Sequence, residues 1–425
     1  MKVHRMPSNL PLNWGECKLE TVCALDNGLK QNGLDLPLLD VKYLRGKKEA
    51  EYRQEGVVLN PEDYVILVDG ENSGEIFSIY ETGIMGSTFK KLSFSEFCSI
   101  PYILFFIKSK QDLFRTNKKG AAIPHLDKTL FKNLALPLPP VVEQERIVAK
   151  IEALFQDIDE GVERLKSAQA QIKQYRQSVI KSAFEGKLYK TTECKEVDIT
   201  KIIAKEKNAL KAGPFGSALK KEIYVEKGYK IYGQEQVIAQ NPFYGDYYIN
   251  EEKYLELASC KVQPNDILIS LVGTIGKVLI LPNNIEKGII NPRLLKVTLD
   301  TSIYLPLFFK FYFESQYLRS LFKIKAHGAT MDVLNLSILK ELPFPLPSLP
   351  EQQHIVAEIE KRFAVADELE KAVNEGLEKA DKLKQSILKK AFEGKLVAQN
   401  PNDEPASVLL ARIKKSQSPT KGKKK

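Results

Sequence analysis

The 425-residue sequence has few of the residues that build metal centres, disulfide frameworks or hydrolytic sites. Its five cysteines are scattered, odd in number and nowhere arranged as C-x-x-C. This pattern predicts reduced, buried thiols rather than disulfide bonds or a zinc site. Its four histidines lack the spacing of metal ligands, and no G-x-S-x-G motif is present. The sequence therefore predicts a protein that is not an enzyme and holds no metal.

Long hydrophobic runs are also missing. No apolar segment approaches the roughly 20 residues that span a bilayer, and the stretch up to Trp14 lacks the apolar core of a signal peptide. We therefore expect a cytoplasmic protein with no membrane partner. The net charge of +9 suits an anionic partner such as DNA. Part of that excess lies in a basic tail that ends the chain.

An internal repeat organises the chain. Residues 136–188 return as residues 344–396 at a constant offset of 208 positions, and A-F-E-G-K-L closes both copies. A repeat of this length predicts two units of the same kind. Each unit consists of a variable part, a proline-rich stretch and a long helix.

The repeated segments have the pattern of coiled-coil helices. Because proline restricts its own backbone and the preceding residue, we expect the helices to begin near Val142 and Pro350. Apolar and small residues then recur at alternating spacings of 4 and 3, which is the heptad pattern. These residues are Ile147, Ile151, Leu154, Ile158, Gly161, Leu165, Ala168, Ile172, Tyr175 and Val179, then Ile355, Ile359, Ala366, Leu369, Val373, Ala380, Leu383 and Ile387. The seam alone permits parallel or antiparallel pairing, and the long intervening domain favours the antiparallel one. Antiparallel pairing would place Gly161 near Leu377 and Gly376 near Val162.

The two variable parts predict irregular domains rich in strands. β-like runs at residues 64–68, 103–107, 266–270 and 277–281 alternate with turns rich in Gly, Asn and Asp. The predicted fold class is α+β, with two variable domains of mainly antiparallel sheet joined by two long helices in an antiparallel coiled coil. The predicted domains are residues 1–135, 136–190, 191–343, 344–397 and 398–425, the last being a short helix and basic tail.

Candidate DNA contacts occur in both variable parts. In the second, a glycine-rich loop followed by lysines suits contact with phosphates, and glutamine amides suit base edges. A simple turn or a solvated loop is the alternative at each place. The candidates are Arg45, Lys47, Lys48, Arg53, Lys90, Lys91, Gly216, Ser217, Lys220, Lys221, Gln234, Gln236, Thr274, Lys277 and Arg293.

Parts of the sequence are compatible with two other functions. The segment Asn241-Pro242-Phe243-Tyr244 resembles the N-P-P-[YF] signature of adenine methyltransferases, which extract the base from the duplex. The glycine-rich cofactor turn that such an enzyme needs is missing, and Phe243 replaces the second proline. A self-contained adenine methyltransferase and a scaffold that binds DNA without sequence preference are therefore the alternatives.

The repeated motifs carry a family resemblance. Each variable part is followed by P-L-P, E-Q-x-x-I-V and A-F-x-G-x-L, and two further segments of the resemblance are Leu12-Asn13-Trp14 near the start and residues 400–410 near the end. The motifs stand at residues 143–148, 183–188, 351–356 and 391–396. With these motifs the chain resembles the DNA-specificity subunit of type I restriction–modification systems. Within the second variable part, G-P-F-G-S-A-L-K-K, Y-G-Q-E-Q-V-I and D-I-L-I-S-L-V-G-T-I-G-K-V resemble one class of target-recognition domain. The first part lacks G-P-F-G-S and has Glu75 where the second has Lys277.

The resemblance implies a function and partners. Each variable domain would recognise one half of a bipartite sequence in double-stranded DNA, and the paired helices would hold the two domains at a fixed distance. The helices would also bind two methyltransferase subunits, which carry S-adenosylmethionine and methylate adenines. Restriction–translocation subunits would complete the complex. This chain itself would bind no cofactor.

Overall fold

The computed structural model describes residues 10–118, 124–187, 195–215, 218–271, 276–326 and 334–417. They form two compact units: residues up to 165 with those from 375 onward make the first, and residues 166–374 make the second. Both divisions fall inside the long helices, so each helix contributes a segment to each unit. Within the described residues, no helix combines the length and apolar composition that a membrane span requires. The division of the chain into the five domains given above remains a prediction.

The first variable part contains an antiparallel sheet and a small barrel. Its strands are β1 (Gly15–Lys18), β2 (Cys23–Asp26), β3 (Lys30–Leu39), β4 (Tyr52–Leu59), β5 (Tyr64–Leu67), β6 (Ile76–Ser78), β7 (Gly83–Met85), β8 (Phe89–Phe94) and β9 (Ala135–Leu138). Its helices are α1 (Val41–Leu44), α2 (Ile100–Ser109), α3 (Gln111–Thr116) and α4 (Lys128–Lys132). The sheet has the order β2-β8-β5-β6, while β3, β4 and β7 close into the barrel and β1 pairs with β9.

The run at residues 103–107 was predicted as a strand, and that prediction is wrong because the run belongs to helix α2. Pro101 occupies the first helical turn, where its missing N–H costs nothing. Tyr102, Ile103, Phe106 and Ile107 are buried, which is the spacing of one helical face. A short apolar run cannot distinguish a buried strand from a buried helix.

The long helix α5 (Val141–Phe184) leads into the second variable part. The strands there are β10 (Glu196–Val197), β11 (Leu210–Ala212), β12 (Tyr229–Tyr232), β13 (Tyr248–Ile249), β14 (Ile267–Ser270), β15 (Val278–Ile280), β16 (Gly288–Ile290), β17 (Leu294–Val297) and β18 (Phe344–Pro345). The helices are α6 (Gln234–Ala239), α7 (Glu251–Glu256), α8 (Pro306–Phe313), α9 (Gln316–Ala326) and α10 (Leu336–Lys340). The chain continues as the long helix α11 (Leu349–Phe392) and ends with α12 (Ala406–Gln417).

The two variable parts share one sheet topology. The order β11-β17-β14-β15 repeats the order β2-β8-β5-β6, strand for strand along the chain. Both sheets are antiparallel, and the parallel pairs lie elsewhere, between β3 and β7 and between β12 and β16. The predicted α+β class with mainly antiparallel sheets is confirmed.

The long helices pair antiparallel in each unit. In the first, Lys384 of α11 forms an ion pair with Asp159 of α5. In the second, Gln169 donates to Asn374 at 3.4 Å, and Arg176 lies 3.1 Å from Glu370. Higher residue numbers in α5 lie opposite lower residue numbers in α11, so the two helices run in opposite directions. The predicted antiparallel coiled coil is therefore confirmed.

Some details of the predicted seam are wrong. Tyr175, Leu369 and Leu383 are 41%, 52% and 51% exposed. Positions that repeat every seven residues rotate by about 20° per heptad around a straight helix. Residues predicted from a strict heptad repeat therefore move out of the helix–helix interface along the helix. In the second unit Arg176, which neighbours Tyr175, lies over the Phe363 ring of the other helix, 5.1 Å from the ring centroid.

The interior glycines also differ from the prediction. A Cβ added at Gly161 would have no neighbour within 4 Å, so the predicted close contact with the other helix is wrong there. A Cβ added at Gly376 would lie 3.0 Å from the side chain of Leu165, rather than near Val162. Only one of the two glycines therefore marks a close approach.

The motif A-F-E-G-K-L ends both long helices in the same way. Gly186 and Gly394 both have φ +70°, the left-handed conformation that favours glycine. The following N–H groups close the turn: Lys187 donates to the Ser182 carbonyl at 2.9 Å, and Lys395 to the Lys390 carbonyl at 2.8 Å. The motif therefore encodes a helix stop.

The repeated E-Q motif joins each long helix to a variable part. Buried Gln144 accepts from the N–H of Ser99, which caps α2, and donates to the Pro139 carbonyl, at 2.9 and 3.0 Å. Buried Gln352 accepts from the N–H of Leu305, which caps α8, at 2.9 Å. Its amide also donates to the carbonyls of Ile303 and Pro347, both at 2.9 Å. In each copy the glutamine amide binds one carbonyl of the proline-rich stretch. This hydrogen bond fixes the position at which the long helix leaves the domain.

Candidate nucleic-acid interface

Three segments that are distant in sequence meet in the second unit. The Gly213 N–H donates to the Leu294 carbonyl at 2.9 Å, and the Asn291 N–H donates to the Tyr232 carbonyl at 2.8 Å. A Cβ added at Gly213 would lie only 1.8 Å from the Asn291 carbonyl oxygen. Glycine is therefore required at position 213, where two backbones approach closely.

Amide and cationic side chains surround this junction. Gln234, the first residue of α6, donates to the hydroxyl of buried Ser270 at 2.7 Å. Arg293 is exposed, and its backbone is fixed by two hydrogen bonds. Its N–H donates to the Asn291 side chain at 2.9 Å, and its carbonyl accepts from the Leu271 N–H at 3.0 Å. The Lys277 carbonyl accepts from the Ser270 N–H at 3.1 Å. We call Gln234, Lys277 and Arg293 the amide–cation surface.

A buried carboxylate supports the strand that follows Lys277. Burial raises the pKa of Glu314, while Lys310 and the N–H of Val278, 3.2 Å away, oppose that rise. The positive charge of Lys277 also favours the ionised form. The carboxylate therefore ties the start of β15 to helix α8 and fixes the backbone beside Lys277.

Gln236 does not belong to this surface. Its side chain is 1% exposed, accepts from the Gly233 N–H at 2.7 Å and donates to the Tyr244 carbonyl at 2.6 Å. A buried amide that holds two backbone groups is unavailable to a base edge. We therefore correct the prediction for Gln236, which caps helix α6.

The other candidates of the second unit are less constrained. Lys220 and Lys221 are exposed at the start of a short 3-10 helix. Gly216, Ser217 and Thr274 lie outside the described residues. Their proposed contacts with DNA remain predictions.

In the first unit most candidate cations have acidic or amide partners. Arg45 forms an ion pair with Glu75, and Lys48 lies 3.3 Å from Asp40 and 2.7 Å from Glu51. Arg53 lies 3.4 Å from Glu51, and Lys90 donates to Asn27. Lys47 is exposed and lines the same cleft as Arg45. These contacts leave the predicted role of these five residues untested.

The ion pair of Lys91 recurs in the other unit, and the predicted DNA contact of Lys91 stays a prediction. Its ammonium lies 2.7 Å from Asp63, just before β5, and Lys296 lies 3.5 Å from Asp266, just before β14. Burial raises the pKa of Asp266, although Lys296 and a hydrogen bond from Thr298 oppose that rise. Since the pair joins equivalent strands in both sheets, Lys91 serves the fold.

The segment 241–244 forms a turn. The Asn241 side chain accepts from the Phe243 N–H at 3.0 Å, and buried Lys230 donates to the Gly245 carbonyl at 2.9 Å. Across the described ranges, no three His, Cys, Asp or Glu side chains cluster as a metal site would require.

Sequence reasoning missed the structural role of Gln144 and Gln352 and passed over Lys108 in the first unit. The glutamines could have been found, because they occupy equivalent positions of the repeat. Lys108 had no such signal, since its position beside Arg115 depends on how α2 and α3 pack.

Comparison with known proteins identifies the family. A family model described as "Type I restriction modification DNA specificity domain" matches residues 11–167 and again residues 213–379. The chain belongs to this family. The type I specificity family also includes relatives that match nearly the whole chain.

The EcoBI specificity subunit of Escherichia coli is 28% identical and the match covers 97% of this chain and 94% of the relative. The EcoKI specificity subunit of E. coli K12 is 26% identical, with 98% of both chains covered. A solved chain from a study of type I R-M complex assembly and conformational transition superposes with a TM-score of 0.66. It is 18% identical, with 92% of this chain and 100% of that chain covered, and it supports the fold alone.

The family assignment confirms the predicted resemblance and the presence of DNA target-recognition domains. The two matched stretches each contain most of one variable part and the first portion of the long helix that follows it. The family assignment therefore supports the function that the repeats indicated, that of a DNA-specificity subunit. The alternative of a self-contained methyltransferase is not favoured.

Proposed function

We propose that each variable part recognises one half of a bipartite sequence in double-stranded DNA. One observation carries this proposal: the same sheet order occurs twice, while the side chains at equivalent loops differ. Glu75, paired with Arg45, directly precedes β6, and Lys277 directly precedes β15 at the equivalent position. A shared scaffold with different surface chemistry suits the recognition of two different half-sites. The amide–cation surface supports base contact in the second unit, because Arg prefers guanine and Gln prefers adenine.

The long helices serve two purposes in this proposal. They set the distance between the recognition domains, and they bind two methyltransferase subunits through their exposed faces. Each helix has 44 residues, or about 66 Å at about 1.5 Å per residue. Half-sites one turn of DNA apart are separated by about 34 Å. The helices are therefore long enough for such a site.

We further propose that this chain catalyses no reaction and holds no cofactor. S-adenosylmethionine binds the partner methyltransferase subunits, which methylate adenines, and restriction–translocation subunits complete the assembly. The turn at residues 241–244 supports this division, because its side chain and backbone atoms are hydrogen-bonded within the fold.

A methyl-transfer assay tests the absence of catalysis. The purified full-length chain, incubated with S-adenosylmethionine and DNA, is expected to transfer no methyl groups above background. Adding the methyltransferase subunits should produce methylation at defined sites. Asn241→Ala should leave that methylation unchanged. Methyl transfer by the chain alone, lost in Asn241→Ala, would instead establish the methyltransferase alternative.

A further inference from the structure

A cleft of about 740 Å³ in the first unit is lined by the candidate cations Arg45 and Lys47 and by residues outside the candidate set. Helices α2, α3 and α5 and the connection between β5 and β6 enclose it. Its lining includes Arg45, Lys47, Lys108 and Arg115, opposed by the carboxylates of Glu75 and Glu152. Arg45 already neutralises Glu75. The cleft therefore has more positive than negative charge.

The position of the cleft links it to DNA recognition. The connection between β5 and β6 is the equivalent of the connection between β14 and β15, which holds Lys277 of the amide–cation surface. In the first unit this connection contributes Glu75 to the rim of the cleft. The same loop that presents a cation in one unit thus borders a cationic cleft in the other.

A bound anion would stabilise two of the cations, Lys108 and Arg115. Lys108 is exposed, yet the protein packed around its ammonium lowers the pKa of Lys108; the nearby Lys384 adds to that effect and Asp159 opposes it. Arg115 lies 3.7 Å from Asp112, which is 78% exposed, so their attraction is weak. A phosphate group bound in the cleft would supply further negative charge to Lys108 and Arg115.

We propose that this cleft binds the sugar–phosphate backbone of the DNA whose bases the first domain recognises. Lys47, Lys108 and Arg115 contact phosphates, while Glu152 marks the edge of the cleft on α5. The inference rests on the proposed function and adds the place where the duplex backbone lies. An acidic segment of a partner protein is the competing occupant, and salt dependence separates the two.

Binding of the full-length chain to DNA, measured at several salt concentrations, tests the inference. The variant Lys108→Gln/Arg115→Gln should lower the slope of log affinity against log salt by about 2, because each phosphate contact contributes about 0.9. The loss of affinity between about 50 and 200 mM salt should then be roughly tenfold smaller than in the parent chain. The change should be equal on the recognised duplex and on a random duplex.

Two further variants make the test decisive. Lys47→Gln changes only an exposed side chain and should lower the slope by about 1. Lys128→Gln/Lys132→Gln removes the same charge from exposed positions of α4, outside the cleft, and should leave the slope unchanged. An unchanged slope in the cleft variants, or a changed sequence preference at constant slope, overturns the inference. Loss of methyltransferase binding with normal DNA binding would assign the cleft to a protein partner. If the parent chain itself shows no preference for the recognised duplex, the proposed function fails instead.

Discussion

Deletion of one heptad from each long helix is expected to abolish methylation of the natural site by the assembled complex. Residues 163–169 and 374–380 are a matched pair, since Gln169 contacts Asn374 and Leu165 lies against Gly376. Removing both shortens each helix by about 10 Å, the length of about 3 base pairs. Three base pairs also rotate the duplex by roughly 100°, while a heptad changes the helix face by only about 20°.

The recognition domains would therefore face DNA of the wrong spacing and the wrong angle. We expect methylation of the natural site to fall at least about a hundredfold, because each misread base pair costs about 1–3 kcal/mol. A library of sites with varied spacers measures the effect. The control Arg164→Ala/Lys379→Ala changes exposed side chains and keeps the helix length. Normal methylation of the original spacer by the shortened protein would contradict the spacing role of the helices.

The change Gln352→Ala is expected to destabilise the second unit by about 2–4 kcal/mol. It removes three hydrogen bonds, and it leaves a buried carbonyl at Pro347 and partly buried backbone groups at Leu305 and Ile303 without their partner. Each unsatisfied buried group costs about 1–3 kcal/mol, although water entering the space offsets part of that cost. The unfolding midpoint and hydrogen exchange at the Leu305 amide measure the loss.

The neighbouring Gln353→Ala is the matched control, because Gln353 is exposed on the same helical turn. Its effect should stay within about 0.5 kcal/mol. Equal stability of the two variants would show that Gln352 does not anchor the helix. Gln144→Ala should repeat the effect in the first unit, since it caps α2 in the same manner.

The repeat explains why so much of the fold could be predicted. Two long segments with the same register predicted both helices to within a residue or two, since α5 begins at Val141 and α11 at Leu349. Helical periodicity over many turns is a strong signal. The run at residues 103–107 was too short to carry such a signal, and it proved to be helix α2.

The candidate site was harder to predict, because a basic residue looks the same in sequence whether it is paired or free. Lys91 and Gln236 were chosen for their chemistry, yet one completes an ion pair with Asp63 and the other caps α6. Gln234, two residues earlier, faces Ser270 beside the exposed Arg293. Which of two glutamines is buried depends on the turn at Gly233, which only the folded backbone defines.

Sequencing of methylated sites after a domain exchange tests the central claim most directly. Residues 191–343 would be replaced by the corresponding region of another specificity subunit, and the full system expressed in cells. If each domain recognises its own half-site, one half of the methylated sequence changes to that of the donor. The other half and the spacer between them stay the same. An unchanged methylated sequence, or a change in both halves, would contradict the account.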